Sequence, residues 1–277
     1  MSGILYVTGT PIGNLSDLSP RAVETLEGVD FIAAEDTRVT LKLLNHFGIK
    51  KPMVSYFEHN KRERGEIICQ RIEQGENCAI VTDAGMPCIS DPGEGLVRLC
   101  YENDIPVKVV PGPSAVVSAL AISGLDTSRF SFEGFLSVTR KQRIAHLEEV
   151  RNNKNTMIFY EAPHKLVSTL KDMLQYFGDR RISLCRELTK VYEEVIRCTL
   201  SEAIQYYADK SPKGEYVLVI EGAPESVEPE CTLEQAVEMA RELVAGGEKT
   251  ISACKKVAAE TGYRKSELYQ LINSEKQ

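Results

Sequence analysis

Residues 78–93 read CAIVTDAGMPCISDPG, a short apolar run followed directly by a loop rich in Gly and Pro. The run at 78–82 is too short for a typical helix and is characteristic of a strand buried on both faces. Amphipathic segments separate it from other runs of the same kind. Those runs lie at residues 4–7, 31–34 and 107–110. Strands that alternate with helices predict a mainly parallel sheet, here an α/β domain over residues 1–118.

The chain beyond this domain changes pattern twice. Several strand-like runs follow one another without an intervening helix, which predicts a mixed sheet in a second α/β domain at 119–224. An acidic, Pro-containing segment at 222–230 has the composition of a linker. Three short helical patterns with Gly-containing turns follow, and they predict a small helix-turn-helix-like domain at 230–277. Within it, residues 249–265 carry five basic side chains and one acidic one, which suits nucleic-acid contact or a helical cap or dimerisation module.

Composition excludes several classes of protein. A net charge of −7 over 277 residues argues against a wholly basic nucleic-acid binder. The eight cysteines have irregular spacing and no C-x-x-C pair, so we expect a reducing compartment and neither a metal site nor a disulfide framework. No apolar run approaches the ~20 residues of a membrane helix, and the N-terminus lacks the pattern of a secretory leader. We therefore expect a cytoplasmic protein that does not enter membranes.

Three loops rich in Gly and Pro follow predicted strands, at residues 8–14, 82–93 and 110–115. In open α/β sheets, ligands bind outside the carboxyl ends of the strands, where such loops gather. Gly and Pro let backbone groups approach a ligand closely, and Asp83 can accept a hydrogen bond from a ligand amine or hydroxyl. The alternative is that these residues only form tight turns. Three such loops in one half of the chain favour a pocket.

The motifs in these loops, together with two more, carry a resemblance. The ordered set is TGTPIGNL at 8–15, EDTR at 35–38, DAGMP at 83–87, VPGPSA at 110–115 and FYEAPHK at 159–165. This set resembles the ribosomal RNA small-subunit methyltransferase I family, which transfers a methyl group to a ribose 2′-hydroxyl and is similar in fold to the tetrapyrrole methylases. The resemblance covers essentially the whole chain, including CRELTK at 185–190 and the helical tail.

The resemblance implies S-adenosylmethionine bound in a cleft between the two α/β domains, and a homodimer. It also implies a substrate, either small-subunit 16S ribosomal RNA or the assembled small subunit, with a cytidine of the decoding region as the methylated nucleotide. Carried over by position, the cofactor contacts from the first domain are Pro11, Asp83, Gly85, Met86, Ile89, Ser114 and Ala115. Glu161 and Leu188 of the second domain would close the other side of the cleft.

Two polar clusters are candidates for catalysis. Asp36 follows a predicted strand and is a candidate to accept the hydroxyl proton, while Arg38 is a candidate to hold a neighbouring phosphate. The alternative is a helix N-cap with an exposed salt bridge. Glu161 and Lys190 belong to a second cluster, from the other domain, and are further catalytic candidates.

Basic segments indicate where RNA would lie. Residues 36–64 carry seven basic and three acidic side chains, with Tyr56 and Phe57 among them, which suits RNA stacking or core packing. His164 and Lys165 precede a predicted helix and suit an anion or plain solvation. Two other functions remain open: a methylase of a tetrapyrrole or other small molecule, and a ligand-sensing regulator that binds nucleic acid through the helical tail.

Overall fold

The computed structural model describes residues 2–224 and 232–274. Residues 225–230 of the expected linker, and Cys231, lie outside the described residues. The chain divides into two compact units, Met1–Gly222 and Ala223–Gln277. Within the described residues no helix is both long and apolar enough to cross a membrane.

The first half of unit 1 contains a five-stranded, fully parallel sheet. Its strands, in the spatial order β3-β2-β4-β1-β5, are β1 (Leu5–Thr8), β2 (Phe31–Ala34), β3 (Met53–Ser55), β4 (Cys78–Val81) and β5 (Val107–Val110). Because the strands are parallel, their carboxyl ends share one edge of the sheet. The predicted loops follow β1, β4 and β5, three neighbouring strands, so the topology brings them together.

Helices cover both faces of this sheet. Alternate residues of β4 point to opposite faces: Ile80 packs among residues of α3 and α4, and Ala79 among residues of α1 and α2. The bounds are α1 (Pro20–Gly28), α2 (Thr37–His46), α3 (Lys61–Glu73) and α4 (Glu94–Glu102). Ser19 caps α1 and Pro20 occupies its first turn, as the sequence predicts.

The second half of unit 1 contains a mixed sheet in the order β6-β7-β10-β8-β9. Only β6 and β7 run parallel; the other neighbours are antiparallel. The strands are β6 (Phe130–Phe135), β7 (Thr156–Glu161), β8 (Arg181–Arg186), β9 (Glu194–Thr199) and β10 (Tyr216–Ile220). One face packs against α6 (Arg140–Val150), α7 (Leu166–Phe177) and α8 (Leu200–Tyr206), and the other against α5 (Ala115–Ser123).

Unit 2 is a three-helix module with its own core. Its helices are α9 (Leu233–Ala245), α10 (Thr250–Thr261) and α11 (Lys265–Ser274). Ala236, Cys254 and Leu268, one from each helix, are fully buried together. Thr232 and Gln235 form a capping box that starts α9, and Gly262 ends α10 in the left-handed conformation.

The predicted fold class is confirmed: a parallel sheet, then a mixed sheet, then a helical tail. Three elements were not predicted, namely β3, α5 and α8. The expected domain boundary between residues 118 and 119 falls inside α5, which packs on β8 and β10 of the second sheet.

Candidate active site

The first two loops are bonded to each other at the carboxyl edge of the parallel sheet. The backbone N–H of Thr10 donates to the Gly85 carbonyl oxygen at 2.9 Å, and the N–H of Gly85 donates to the Thr10 oxygen at 3.2 Å. The Thr10 hydroxyl donates to the Thr82 carbonyl oxygen at 3.0 Å. Glycine is favoured at position 85, because its φ of +89° is one that residues with a side chain rarely adopt.

The third loop approaches the first at backbone contact distance. A Cβ added to Gly9 would lie 2.7 Å from the Gly112 Cα. Only a pair of glycines allows this approach. The glycines of TGT after β1 and of PGP after β5 are therefore needed for packing as well as for the turns. All three loops therefore form one continuous rim.

Strained backbone is concentrated beside this rim. Cys88 and Ser90 of the second loop have φ of 71° and 116°, and Glu187 and Thr189, on either side of Leu188, have 51° and 65°. Non-glycine residues adopt positive φ at a cost, and they persist where the surrounding structure fixes them, often at ligand sites. The strained residues belong to two separate loops, at 88–90 and 187–189, and the strain indicates that both loops are held in a fixed conformation.

A cavity of about 440 Å³ lies between the two sheets of unit 1. The loops after β4 and β5 form one wall, and β7, β8, β10 and the residues that follow β7 and β8 form the other. Its lining includes Ile12, Ala84, Gly85, Met86, Ile89, Ser90, Asp91, Ser114, Ala115, Phe135, Tyr160, Glu161, Ala162, Pro163, Cys185, Glu187, Leu188, Glu215, Tyr216 and Val217. We call it the large cavity.

The charged side chains that line the large cavity are all acidic: Asp91, Glu161, Glu187 and Glu215. Burial, followed by the negative charges of neighbouring Glu35 and Asp83, raises the pKa of Asp91 to about 6. Lys190 pairs with two of these carboxylates, Glu187 and Glu215, and a lining whose own charged members are all acidic favours a cationic ligand. Over the described part of the chain, no cluster of His, Cys, Asp and Glu could hold a metal ion.

A smaller cavity of about 210 Å³ lies on the other side of the first two loops. We call it the second cavity. It is formed by the first loop, the residues after β4 and residues 39–43 of α2. Its lining comprises Thr10, Pro11, Leu15, Val39, Thr40, Lys42, Leu43, Thr82 and Asp83.

The nine predicted cofactor residues divide between the two cavities. Gly85, Met86, Ile89, Ser114, Ala115, Glu161 and Leu188 line the large cavity. Pro11 and Asp83 line the second cavity and not the large one. Most of the predicted set is therefore brought together in the large cavity. Pro11 and Asp83 lie on the other side of the first two loops, which form the wall between the two cavities.

Asp36 and Arg38 are bound to each other beside Asp83. The Arg38 guanidinium donates to Asp36 at 2.6 and 3.0 Å, and the Asp36 N–H donates to the Asp83 carboxylate at 3.2 Å. Asp36 also accepts the Arg38 N–H at 2.8 Å, so the N-cap interpretation is confirmed. The Arg38 hydrogen bonds lower the pKa of Asp36 to about 2, which makes it a weak base in this arrangement. The Arg38 side chain is 87% exposed.

Glu161 and Lys190 are held by neighbouring groups. Glu161 is buried, and its two oxygens accept the Thr169 hydroxyl at 2.5 Å and the Ala162 N–H at 2.8 Å. Lys190 donates to Glu187 at 3.0 Å and to Glu215 at 2.9 Å. Burial opposes the Lys190 charge, but the bonds to Glu215 and Glu187 outweigh it and raise the pKa of the ammonium. Lys190 is therefore a fixed cation that orients two lining carboxylates.

The remaining basic and aromatic candidates lie outside both linings, apart from Lys42, which lines the second cavity. Tyr56 is 2% exposed and belongs to the core of the first sheet, which settles its role as packing. Phe57 is 38% exposed and stands edge-to-face with His59. His164 is exposed and Lys165 half-buried at the start of α7.

Sequence reasoning missed Asp91 and Tyr160 as lining residues of the large cavity. Asp91 lies within the quoted loop at 82–93, where a second acid among Gly and Pro was the available signal. Tyr160 is the last residue but one of β7, whose other residues are buried, and it packs edge-to-face on Phe132, so nothing local marks it.

Comparison with known proteins agrees with this geometry. The family model for tetrapyrrole (corrin/porphyrin) methylases matches residues 4–204. A solved uroporphyrin-III-C-methyltransferase from Thermus thermophilus is 18% identical with a TM-score of 0.56, and the match covers 80% of this chain and 95% of that one. This likeness establishes the fold.

Curated relatives establish the family. "Ribosomal RNA small subunit methyltransferase I" of Synechocystis is 47% identical over 270 residues, which is 97% of this chain and 97% of the relative. The protein of the same name from Thermotoga maritima is 47% identical over 220 residues, 79% of this chain but 99% of its own. The chain therefore belongs to the ribosomal RNA small subunit methyltransferase I family, built on the tetrapyrrole methylase fold.

Proposed function

We propose that this ribosomal RNA methyltransferase transfers the methyl group of S-adenosylmethionine to the ribose 2′-hydroxyl of a cytidine in the decoding region of small-subunit 16S ribosomal RNA. The family membership supports methyl transfer to ribosomal RNA. The observation that carries the proposal is the acidic cavity between the two sheets, beside a second cavity that opens off the same loops.

The residues of the large cavity fit S-adenosylmethionine, the methyl donor of this family. Its sulfonium and amino groups are positive, which suits a lining whose charged members are Asp91, Glu161, Glu187 and Glu215. Apolar lining residues such as Ile89, Met86 and Leu188 suit a flat base. We propose that the seven predicted residues of this cavity contact the cofactor, and that Glu161 and Leu188 close it from the second sheet.

When bound, the cofactor supplies a methyl carbon already activated by the positive sulfur. The chain's own task is then mostly positioning: the rim formed by the three loops holds two ligands close together and in a fixed orientation. Lys190 supports this by fixing Glu187 and Glu215, and Thr169 does so by fixing Glu161. Glu161 and Lys190 thus assist catalysis by holding the groups that line the cavity in position.

Asp36 and Arg38 form the proposed acceptor-side pair. Arg38 is exposed, and exchanging its two hydrogen bonds to Asp36 for an RNA phosphate would suit the forked shape of its guanidinium. Loss of the Arg38 hydrogen bonds removes the main cause of the low pKa of Asp36. The arriving phosphate would thereby make Asp36 a better acceptor for the hydroxyl proton.

RNA contact outside the cavities is proposed for the basic segment 36–64, where exposed Phe57 offers a stacking face. We propose a cytoplasmic location, because the proposed substrate is ribosomal RNA or the assembled small subunit. Helix α5 supports the proposed homodimer: its sequence AVVSALAIS carries no charge, yet Val117 is 57% and Ile122 37% exposed. A helix apolar on every face is normally covered, here by a second copy.

The two alternative functions are less well supported. A small-molecule methylase shares the fold, but the solved uroporphyrin methylase is only 18% identical, against 47% for the ribosomal RNA methyltransferases. The Thermotoga relative argues against a regulator that acts through its tail. Its chain is about as long as unit 1 alone, and it still carries the methyltransferase name.

Nucleoside analysis tests the proposal. Small-subunit RNA from cells with and without the protein is digested and compared for 2′-O-methylcytidine, and the modified position is mapped. We expect the ribose methyl group to disappear with the protein and to return when purified enzyme and S-adenosylmethionine are added to small subunits. A methyl group found on a base, with unchanged ribose methylation, would refute it.

A further inference from the structure

We infer that Phe135, on the rim of the large cavity, stacks on a base of the RNA strand that carries the methyl acceptor, and that Arg140 and Lys141 hold phosphates of the same strand. The inference rests on the proposed function and adds to it the place where the strand crosses the second half of unit 1. Three observations carry it: a β-bulge that turns Phe135 toward the cavity, the exposure of its ring, and the charges around it.

The ring reaches the cavity only because β6 contains a bulge. The pairing of β6 with β7 is regular up to Phe132, opposite Ile158, and then shifts by one residue, so that Phe135 lies opposite Tyr160. Gly134 has a φ of +65° at the shift. Paired residues of parallel strands point to the same face, so the bulge places Phe135 on the face of Tyr160. Without the bulge it would point to the opposite face, toward α6, α7 and α8. Bulges next to active sites commonly re-aim a side chain in this way.

Most of the Phe135 side chain is open to solvent although it lines the large cavity. It is 58% exposed. Its ring is tilted against that of Tyr160, with the centroids 5.3 Å apart, so the neighbouring ring supports it. A flat nucleobase covers such a ring well, and stacking of this kind is a major source of affinity for single-stranded RNA.

The charges around the ring separate the base of a strand from its phosphates. The charged side chains that line the large cavity are acidic and repel phosphates, whereas a neutral base or ribose can lie at the rim. Arg140 and Lys141 begin α6, and both are exposed. Neither side chain has a hydrogen-bond or ion-pair partner among the described residues. At most about 22 Å of extended chain separates them from Phe135, so one strand can contact all three.

The third basic residue in the first turns of α6 differs from these two. Arg143 donates to Asp172 of α7 at 2.7 Å, and both side chains are only 17% exposed. Its charge is therefore used within the fold, and those of Arg140 and Lys141 are available to a ligand. The adenine of the cofactor could also stack on Phe135, but the cofactor has no phosphate for these cations. The charges therefore favour an RNA strand.

Kinetics on small subunits test the stacking contact. Phe135→Ala removes the ring. Phe130→Ala is the matched control, since Phe130 lies on the same strand, is 44% exposed and lines neither cavity. We expect Phe135→Ala to raise KM for small subunits at least about fivefold, with kcat changed less than about threefold and S-adenosylmethionine affinity within about twofold. The control should match wild type, and Phe135→Tyr, which keeps a stacking face, should recover most of the loss. A wild-type KM in Phe135→Ala, or an equal loss of cofactor affinity, would overturn the inference.

The salt dependence of RNA binding tests the two cations. Each phosphate contact with a single strand contributes about 0.7 to the slope of log Kd against log salt concentration. The double variant Arg140→Gln, Lys141→Gln should therefore lower this slope by about 1.4 for a single-stranded RNA oligonucleotide of decoding-region sequence, whereas Phe135→Ala should weaken binding at an unchanged slope. The control is Arg151→Gln, Lys171→Gln, which removes two other exposed basic residues of the same half of unit 1. An equal loss of slope in the control would contradict the assigned phosphate contacts.

A single tryptophan distinguishes the possible occupants of the ring. The sequence contains no tryptophan, so Phe135→Trp supplies the only one, and Phe130→Trp is its control. With S-adenosylhomocysteine saturating, we expect the RNA oligonucleotide to lower the fluorescence of Phe135→Trp at least about twofold, and that of the control far less. Quenching completed by S-adenosylhomocysteine alone assigns the ring to the cofactor, and quenching by a higher protein concentration alone assigns it to a second copy. Either result overturns the inference.

The same measurement separates this inference from the proposed function. If RNA quenches the fluorescence but cells without the protein keep the ribose methyl group, the proposed function fails and the RNA contact stands. If the methyl group depends on the protein and RNA leaves the fluorescence unchanged, the inference fails alone.

Discussion

Asp91 provides the sharpest test of whether the acidic lining exists for a ligand. Its carboxyl group keeps its proton up to about pH 6, against an ordinary value of 3.8, because burial and the charges of Glu35 and Asp83 oppose ionisation. At about 1.4 kcal/mol per pH unit, this difference sets a ceiling of about 3 kcal/mol on what the ionised group costs the folded protein. Asp91 is only half-buried, so screening reduces the value to about 1–2 kcal/mol.

The sign follows from proton binding. Between about pH 4 and 6 the folded protein holds the Asp91 proton and the unfolded chain does not, so this group's contribution to stability falls as the pH rises through that window. Asp91→Asn removes the charge and should raise the Tm at pH 7.5 by about 3–6 °C, with about half the gain at pH 5.0. Thermal unfolding followed by circular dichroism at both pH values measures it.

The same substitution should weaken binding of S-adenosylmethionine, about tenfold by titration calorimetry at pH 7.5, because a lining charge is lost. A stabilised protein that binds its ligand less well is the expected signature of a group kept for function. A lower Tm at pH 7.5, or unchanged cofactor affinity, would refute the reasoning. Asp104→Asn, on an exposed turn outside both cavities, is the control.

Three further predictions follow from the structure. S-adenosylmethionine should bind wild type about tenfold more weakly at pH 5.0 than at pH 7.5, because Asp91 gains a proton near pH 6; S-adenosylhomocysteine, without the sulfonium charge, should change less by calorimetry. Val117→Asp should give monomers in analytical ultracentrifugation, whereas Val138→Asp, at a site 71% exposed, should remain dimeric like wild type; monomeric wild type would contradict the dimer. A chain ending at Gly222 should keep cofactor affinity and methyl transfer to small subunits within about threefold, and loss of cofactor binding would contradict the independence of unit 1.

Elements with a clear local pattern could be predicted from the sequence, and those without one could not. The strands β2 and β5 have the predicted bounds, since each is a short apolar run between turn residues. Helix α5 has no polar face, so its sequence lacks the periodicity that marks a surface helix. Strand β3 has three residues and α8 seven, both too short for periodicity to mark.

The sequence predicted which loops line a cavity better than it predicted on which side of them single residues lie. Gly and Pro after β1, β4 and β5 were enough to place a pocket, because parallel strands bring their carboxyl ends together. The side of the wall on which Pro11 and Asp83 lie depends on the long-range bonds between Thr10 and Gly85, 75 residues apart. The pKa of Asp91 likewise depends in part on the charge of Glu35, which is far from Asp91 in the sequence and near it only in the folded chain.

The two cavities also explain why one pair of loops carries so many constraints. Consecutive residues of an extended segment point to opposite sides, so Pro11 and Ile12, like Asp83 and Ala84, line different cavities. Such a wall keeps the two cavities in a fixed relation only if its loops cannot move past one another. The Thr10–Gly85 bonds prevent sliding on one side, and the contact of Gly9 with Gly112 prevents it on the other. A side chain at Gly9 would therefore separate the first and third loops and disturb both cavities together, whereas a change at Thr40 or Ser114 would disturb one.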